Sequence, residues 1–463
     1  MRGMTVQPLW TSDAIATATG GAASAAFVVS GVAFDSREVG PGDLFFALKG
    51  EAADGHRFVT QAFAQGAAGV VVSAPVDGPH VLVADTTAAL EALGVAARAR
   101  TDARIIGVTG SAGKTGSKEA LAAALERAAP GRVHRSVKSY NNHVGVPLSL
   151  ARMPADTLYA VFEMGMSAPG ELDMLTRMVR PHVALVTTIA PAHAAFFPDE
   201  AAIADAKGEV FRGLEPGGVG IVPQDSPHRD RLFAAAEAYA AKVVTFGSDK
   251  RAHVRLRDAL AGPRGTLVSV TMPDVELTFT LAPPGAHWVS NALGVIAAVD
   301  AVGGDLAAAG LALGELEGLK GRGARTRVAL DDGGALLLID ESYNANPASM
   351  AATIALLGEE KAARRIVVLG AMRELGSGSD DYHAALAEPL VAANVDFALL
   401  VGDEMAALAT ALEGRIDFEH VADAAWAWDN LHDRLAAGDA VLVKGSNSVG
   451  LGLIVDAITS GKT

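Results

Sequence analysis

The chain has 463 residues, half of them apolar and a fifth charged, which is enough apolar material for several buried cores and excludes a disordered chain. A soft guide of ~150 residues per domain gives about three domains. A net charge of −15 argues against a large nucleic-acid footprint, and the absence of cysteine excludes disulfides, thiolate nucleophiles and cysteine metal sites.

Met1 to Gly20 holds one arginine and no apolar core segment, so no secretory signal is expected. The first block, residues 1–101, reads as short strands such as Val70–Ser73 and Val81–Ala84 with helices between them. Pro41-Gly42-Asp43 and Asp54-Gly55-His56 punctuate it as turns. The second block, residues 102–323, opens with the apolar run Arg104–Thr109, a glycine-rich turn and the helical stretch Ser117–Ala128. Buried-type strands follow at Leu158–Phe162 and Val183–Ile189, and β-prone segments at Lys242–Phe246 and Leu277–Leu281. Continuous apolar runs separated by helices predict a parallel sheet covered on both faces. The longest near-apolar stretch, Val183 to Phe197, is too short to span a bilayer and contains Pro191 and His193. A cytoplasmic protein without membrane insertion is therefore expected.

Leu319-Lys-Gly-Arg-Gly323 suits a linker. The third block, residues 324–463, repeats the βα rhythm with candidate strands Ala335–Ile339, Arg365–Leu369, Ala398–Val401 and Ala440–Val443. Asn346 before Pro347 reads as a helix N-cap with proline in the first turn. The fold class that results is α/β in three domains: a central P-loop-type sheet with helices on both faces, a smaller N-terminal α/β domain and a Rossmann-like C-terminal one.

The strongest local signal is Thr109-Gly110-Ser111-Ala112-Gly113-Lys114-Thr115, lying between a predicted strand and a predicted helix. Glycines let backbone N–H groups approach phosphate oxygens, the helix start adds positive potential, Lys114 neutralises β/γ oxygens and Thr115 can hold Mg²⁺. The spacing is the short T-G-x-x-G-K-T form, since position 108 is Val. Glu163 closes one apolar run and His193 lies just past another, at strand ends where each could coordinate a divalent ion near this loop. Lys207 falls four residues after Ile203, on the same stripe as Val210, Phe211 and Leu214. A lysine so placed either snorkels to solvent or has an altered charge state.

The segments TGSAGKTGSKE, YNNHVGVPLSL, VFEMGMS, AKGEVF, SNALGVIAA, LKGRGAR, IDESYNANPASM, GAMRELG and VLVKGS follow in order from about Asp35 to Ser446. Together they resemble the Mur ligase family, in its D-alanyl-D-alanine-adding branch. The resemblance implies an ATP-dependent ligase that joins D-Ala-D-Ala to the carboxylate of UDP-MurNAc-tripeptide through an acyl phosphate. It implies ATP bound by Gly110, Ser111, Ala112, Gly113, Lys114 and Thr115, and two Mg²⁺ ions held by Thr115, Glu163, His193 and a carbamylated Lys207. Asn291 would contact adenine, and Arg322 would meet the nucleotide on domain closure. Either Asp340 or Glu341 would hold the ribose, with the Ser-Tyr-Asn-Ala-Asn that follows favouring Glu341. Asn344, Asn346 and Lys444 would serve the acceptor. Asp35, Ser36 and Arg37, with Asn141, Asn142 and His143, would bind the UDP-sugar part of the substrate.

Other amino-acid ligases of the superfamily, such as the third-residue-adding enzyme or folylpolyglutamate synthase, are the nearest rivals. The first typically carries Asp-Asn-Pro-Arg, which this chain lacks. A P-loop ATPase without ligation is the rival from another class, and it gives no reason for Lys207 on an apolar stripe. A monomer is the default expectation.

Overall fold

The computed structural model describes residues 8–50, 53–191, 194–330 and 333–460. The first sheet has the strand order Ala22–Ala23, His80–Leu82, Gly69–Val72, Asp43–Phe46, Gly31–Ala33. All its neighbours run parallel except the first pair. The helix Thr86–Ala99 starts at Asp85, whose carboxylate accepts the Thr87 and Ala88 N–H groups. It crosses onto the helix Gly145–Ala151, where a Cβ on Gly94 would stand 3.0 Å from Pro147 Cα. Leu90 and Leu93 thereby join one core with Ile105, Val146 and Phe162 of the central unit.

The central sheet has nine strands in the order Glu276–Leu281, Gly265–Thr271, Val254–Gly262, Lys242–Gly247, Val219–Pro223, Val183–Val186, Arg104–Thr109, Tyr159–Glu163, Val133–Arg135. From Val254–Gly262 to Val133–Arg135 the strands are parallel. The expectation of a parallel sheet holds for that part only, because Val254–Leu281 forms an antiparallel ribbon at the edge. The turns there are too short for a parallel crossover. Alternate residues of the parallel strands face opposite layers. Ile105, Phe162 and Val186 pack with Leu172, Leu175 and Ile203 on one side. Ile106, Val108 and Leu185 pack with the helices Lys114–Ala128 and Ala286–Ala301 on the other. Register pairs Glu163 with Val108 and Val186 with Thr109, so three strands deliver their carboxyl ends side by side.

The helix expected over Ala201–Leu214 is α-helical only over Glu200–Gly208 and continues as a 3-10 helix over Glu209–Gly213. The Glu209 carboxylate accepts the Gly170 N–H at 2.9 Å, tying that turn to the start of the helix Glu171–Val179.

The last sheet orders Ala324–Ala329, Ala335–Glu341, Asp439–Lys444, Arg364–Gly370, Phe397–Val401, Asp417–Val421, parallel apart from the first strand. Asp417–Val421 and Ala324–Ala329 are additional to the strands read from the sequence. Among the described residues no helix is long and apolar enough to cross a membrane.

Candidate active site

Between the strand Arg104–Thr109 and the helix Lys114–Ala128 the backbone turns through Gly110 at φ +146° and Gly113 at φ +83°. A Cβ at Gly110 would lie 2.0 Å from Thr187 Oγ1, and one at Gly113 2.5 Å from Asn291 Oδ1. Both conformation and space therefore demand glycine. Ser111 N–H donates to Thr188 O at 2.7 Å and Thr187 Oγ1 to Ala112 O at 2.6 Å, which fixes the loop to the neighbouring strand end. Lys114 Nζ donates to Gly110 O at 2.7 Å. Burial holds its pKa below the usual lysine value, with Glu163 opposing that shift and Arg322 adding to it.

The buried polar atoms with no partner among the described residues include Thr109 Oγ1, Thr115 Oγ1 and Ser117 Oγ of the loop and its helix, together with Glu163 Oε2 and Lys207 Nζ. The other Glu163 oxygen accepts Asn141 Nδ2 at 2.7 Å, so the carboxylate is oriented with one oxygen left over. Unpaired buried polar atoms are costly, and a hydroxyl and a carboxylate oxygen suit a hard cation completed by phosphate and water oxygens. Among the described residues no cluster of three or more His, Cys, Asp or Glu is poised for a metal. Lys207 is fully buried. Burial pushes its pKa well below that of an ordinary lysine, Lys114 adds to the shift, and Glu171 opposes it. His193 lies outside the described residues.

A cavity of ≈ 420 Å³ opens over the loop and is closed on its far side by the C-terminal domain. Its side wall is the segment Ser136–Asn142, held from three directions. Fully buried Lys118 donates to Ser136 O at 2.8 Å and Lys138 O at 2.7 Å. Glu38, from the N-terminal sheet region, accepts Tyr140 Oη at 2.8 Å and pairs with Lys138. Arg322, from the linker, donates to Ser139 Oγ at 3.0 Å and lies 4.4 Å over the Tyr343 ring.

The Mur ligase middle domain family matches residues 108–299, the Mur ligase glutamate ligase domain residues 325–447, and the Mur ligase catalytic domain residues 28–77. The UDP-N-acetylmuramoyl-tripeptide–D-alanyl-D-alanine ligase of Bacillus subtilis is 36% identical, over 92% of this chain and 93% of its own length. The chain belongs to the Mur ligase family. The enzyme of the same name from Escherichia coli is 35% identical over 93% of this chain and 94% of its own. Among solved structures, MurF from Acinetobacter baumannii matches with TM-score 0.83 at 30% identity, over 98% of this chain and 99% of that one. The MurF ligase of Thermotoga maritima in complex with ADP matches with TM-score 0.77 at 25% identity, covering 93% and 97%.

In this Mur ligase the cavity brings together Ser111, Ala112, Gly113, Lys114, Asn141, Asn142, Glu163 and Asn291 of the middle domain with Arg322, Glu341, Asn344, Asn346 and Lys444. Asp340 is elsewhere engaged. Its carboxylate accepts Gly321 N–H at 2.7 Å, Ser342 N–H at 3.1 Å and Ser342 Oγ at 2.6 Å, holding the linker turn. Glu341 faces the cavity, 3.3 Å from Lys444 Nζ, which also donates to Asn344 O at 2.9 Å. Asn346 caps the helix Pro347–Glu359 through Ser349 N–H and reaches Ser111 O at 3.4 Å, across the domain boundary.

Asp35, Ser36, Arg37 and His143 do not line the cavity. Asp35 pairs with Arg37 at 2.6 Å, which lowers its pKa, and Ser36 Oγ donates to Gln61 at 3.4 Å. His143 is exposed. Gly110, Thr115 and Lys207 are likewise outside the cavity lining. Sequence reasoning passed over Glu171, His287, Trp288 and Tyr343, all of which line the cavity. Burial lowers the pKa of His287, with Glu341 opposing. Trp288 and Asn291 stand three residues apart on one helix, a spacing that places them on one face.

Proposed function

We propose that this Mur ligase uses ATP to join D-alanyl-D-alanine to the peptide carboxylate of UDP-MurNAc-tripeptide, giving UDP-MurNAc-pentapeptide for cell-wall synthesis in the cytoplasm. The observation that carries this reading is the cavity itself, in which phosphate loop, substrate segment, linker arginine and C-terminal polar groups converge. The named relatives, similar along more than nine-tenths of both chains, point to the same reaction. We take residues 1–101, 102–323 and 324–463 as the three functional units.

The tripeptide carboxylate oxygen bonds the γ-phosphorus as the bond to the β-phosphate oxygen breaks, leaving an acyl phosphate and ADP. The D-Ala-D-Ala amine then bonds the acyl carbon, the tetrahedral centre collapses, phosphate departs, and the amine nitrogen gives up its proton. Both partners of the first step are anions, so positioning and charge compensation are the protein's task. Lys114 and the amides of Ala112–Lys114 would face the phosphates. Arg322, held by Ser139 and Tyr343, brings a second positive charge from the linker. Glu341, with its oxygen toward Lys444, stands for the ribose, while Lys444, Asn344 and Asn346 line the acceptor side.

Thr115 Oγ1 and Glu163 Oε2 would hold Mg²⁺, which when bound neutralises phosphate oxygens. Lys207 is read as a carbamate: its neutral amine adds CO₂ and releases a proton, giving a carboxylate in place of an unpaired amine. Seclusion by the C-terminal domain protects the acyl phosphate from water.

Phosphate release from ATP is measured with UDP-MurNAc-tripeptide, with and without D-Ala-D-Ala, with mass detection of the product. Release that needs both acceptors, with a UDP-MurNAc-pentapeptide mass, is expected. Release independent of the acceptors supports a plain ATPase, and no release with these substrates points to another amino-acid ligase.

A further inference from the structure

The carboxylates that line the cavity among the described residues are Glu163, Glu171 and Glu341. Glu163 is oriented by Asn141, and Glu341 stands 3.3 Å from Lys444 Nζ. Glu171 has no such company. Its Oε2 accepts the Ser167 N–H at 2.7 Å, and among the described residues it pairs with no cation. Nor does its own helix need it as a cap. Glu209 takes the Gly170 and Asp173 N–H groups at the head of Glu171–Val179, at 2.9 Å and 3.3 Å. Glu171 opposes the fall in the Lys207 pKa, yet Lys207 Nζ has no partner. Neither a neutral amine nor a carbamate there offers Glu171 a positive charge. The residue is exposed to the cavity.

A carboxylate left alone on the wall of a cavity that receives phosphates and a second carboxylate repels those anions. The wall runs from Glu163 through Gly165, Met166 and Ser167 to Glu171, which sets Glu171 on the metal side of the cavity. Of the substrates, D-Ala-D-Ala is the one whose reacting atom arrives positively charged. Its amine has an ordinary pKa of about 8 and enters as an ammonium, with three donors and no acceptor. We propose that the Glu171 carboxylate receives the ammonium of D-Ala-D-Ala and holds its nitrogen at the reacting end of the cavity. This rests on the acceptor reading above and adds to it the group that selects an amine. The dipeptide's own carboxylate is then left to the side lined by Lys444.

Equilibrium dialysis of labelled D-Ala-D-Ala against the full-length protein, with UDP-MurNAc-tripeptide and a non-hydrolysable ATP analogue present, reads this apart from turnover. Glu171→Gln keeps an acceptor for the Ser167 N–H and removes the charge. D-Ala-D-Ala should bind Glu171→Gln about tenfold or more weakly than wild type, the worth of one hydrogen bond to a charged group. The dipeptide analogue with a hydroxyl in place of the amine should bind both proteins equally, as should UDP-MurNAc-tripeptide. D-Ala-D-Ala binding to Glu171→Gln at wild-type strength overturns the assignment. An equal loss for the hydroxyl analogue, the mark of a carboxylate that only shapes the wall, overturns it too. So does weakening confined to UDP-MurNAc-tripeptide, which moves the carboxylate to that substrate. Wild type that binds the tripeptide and the ATP analogue but no D-Ala-D-Ala overturns the acceptor reading with it.

Discussion

Replacing Lys207 by methionine separates a buried functional amine from a structural one. Lys207 is fully enclosed on the helix Glu200–Gly208, and its Nζ has no partner among the described residues. Methionine keeps a straight aliphatic stem and removes the unsatisfied nitrogen, whose burial costs about 1–3 kcal/mol. Lys207→Met should therefore stabilise the fold near neutral pH by at least that amount, about 2–4 °C in Tm for each kcal/mol in a unit of this size. Ligation should fall by at least ~100-fold, the upper end of what lost support of a metal site produces.

The gain depends on pH in a defined direction. Because burial lowers the folded-state pKa of Lys207, the unfolded chain holds a proton there that the native state lacks, up to about pH 10.4. Stability of wild type relative to Lys207→Met thus rises with pH across the window between the two pKa values, by about 1.4 kcal/mol per pH unit. Urea unfolding of both proteins at pH 7, 8 and 9 in CO₂-free buffer measures it. A stability difference that stays flat over this range, in a variant that still ligates, would refute the neutral-amine argument and the carbamate with it.

Four other substitutions test neighbouring parts of the site. Asp340→Ala strands the Gly321 and Ser342 donors and should cost about 1–3 kcal/mol by thermal unfolding with KM for ATP unchanged, whereas Glu341→Ala should raise KM for ATP; a raised KM in Asp340→Ala and an unchanged one in Glu341→Ala would exchange their roles. Gly113→Ala places a side chain at φ +83° and 2.5 Å from Asn291 Oδ1. The left-handed conformation alone costs about 1–2 kcal/mol, so calorimetry should show ADP binding weakened about tenfold or more, and unchanged binding would mean the loop is not the phosphate site. Glu163→Gln keeps an acceptor for Asn141 but removes the charge, so half-saturation of phosphate release by Mg²⁺ should move to higher concentration; an unmoved Mg²⁺ curve would take Glu163 out of the metal site.

What could be read in advance follows from where each signal resides. Strands buried on both faces, such as Val183–Val186 and Phe397–Val401, are continuous apolar runs and were legible. Asp417–Val421 and Ala324–Ala329 are edge strands whose exposed sides carry charged residues, so their apolar signal is diluted. The phosphate loop is legible because its chemistry lies within seven consecutive residues. Glu163 and Lys207 were visible as polar groups in apolar patterns, and their unpaired atoms agree with that reading. Glu171, His287 and Tyr343 carry no local mark, because they meet only when three chain segments fold onto one cavity. The helical pattern through Leu214 continued past the true α-helical end, since hydrophobic spacing does not register the tightening to a 3-10 turn.

The segment Ser136–Asn142 is gripped at once by Lys118 from the phosphate-loop helix, Glu38 from the N-terminal sheet region and Arg322 from the linker. Ligands that engaged different ends of this segment would be linked energetically, and linkage is symmetrical: the factor by which one changes the affinity for the other holds in both directions. One affinity measured in the presence and absence of the other ligand therefore determines both, whichever substrate arrives first.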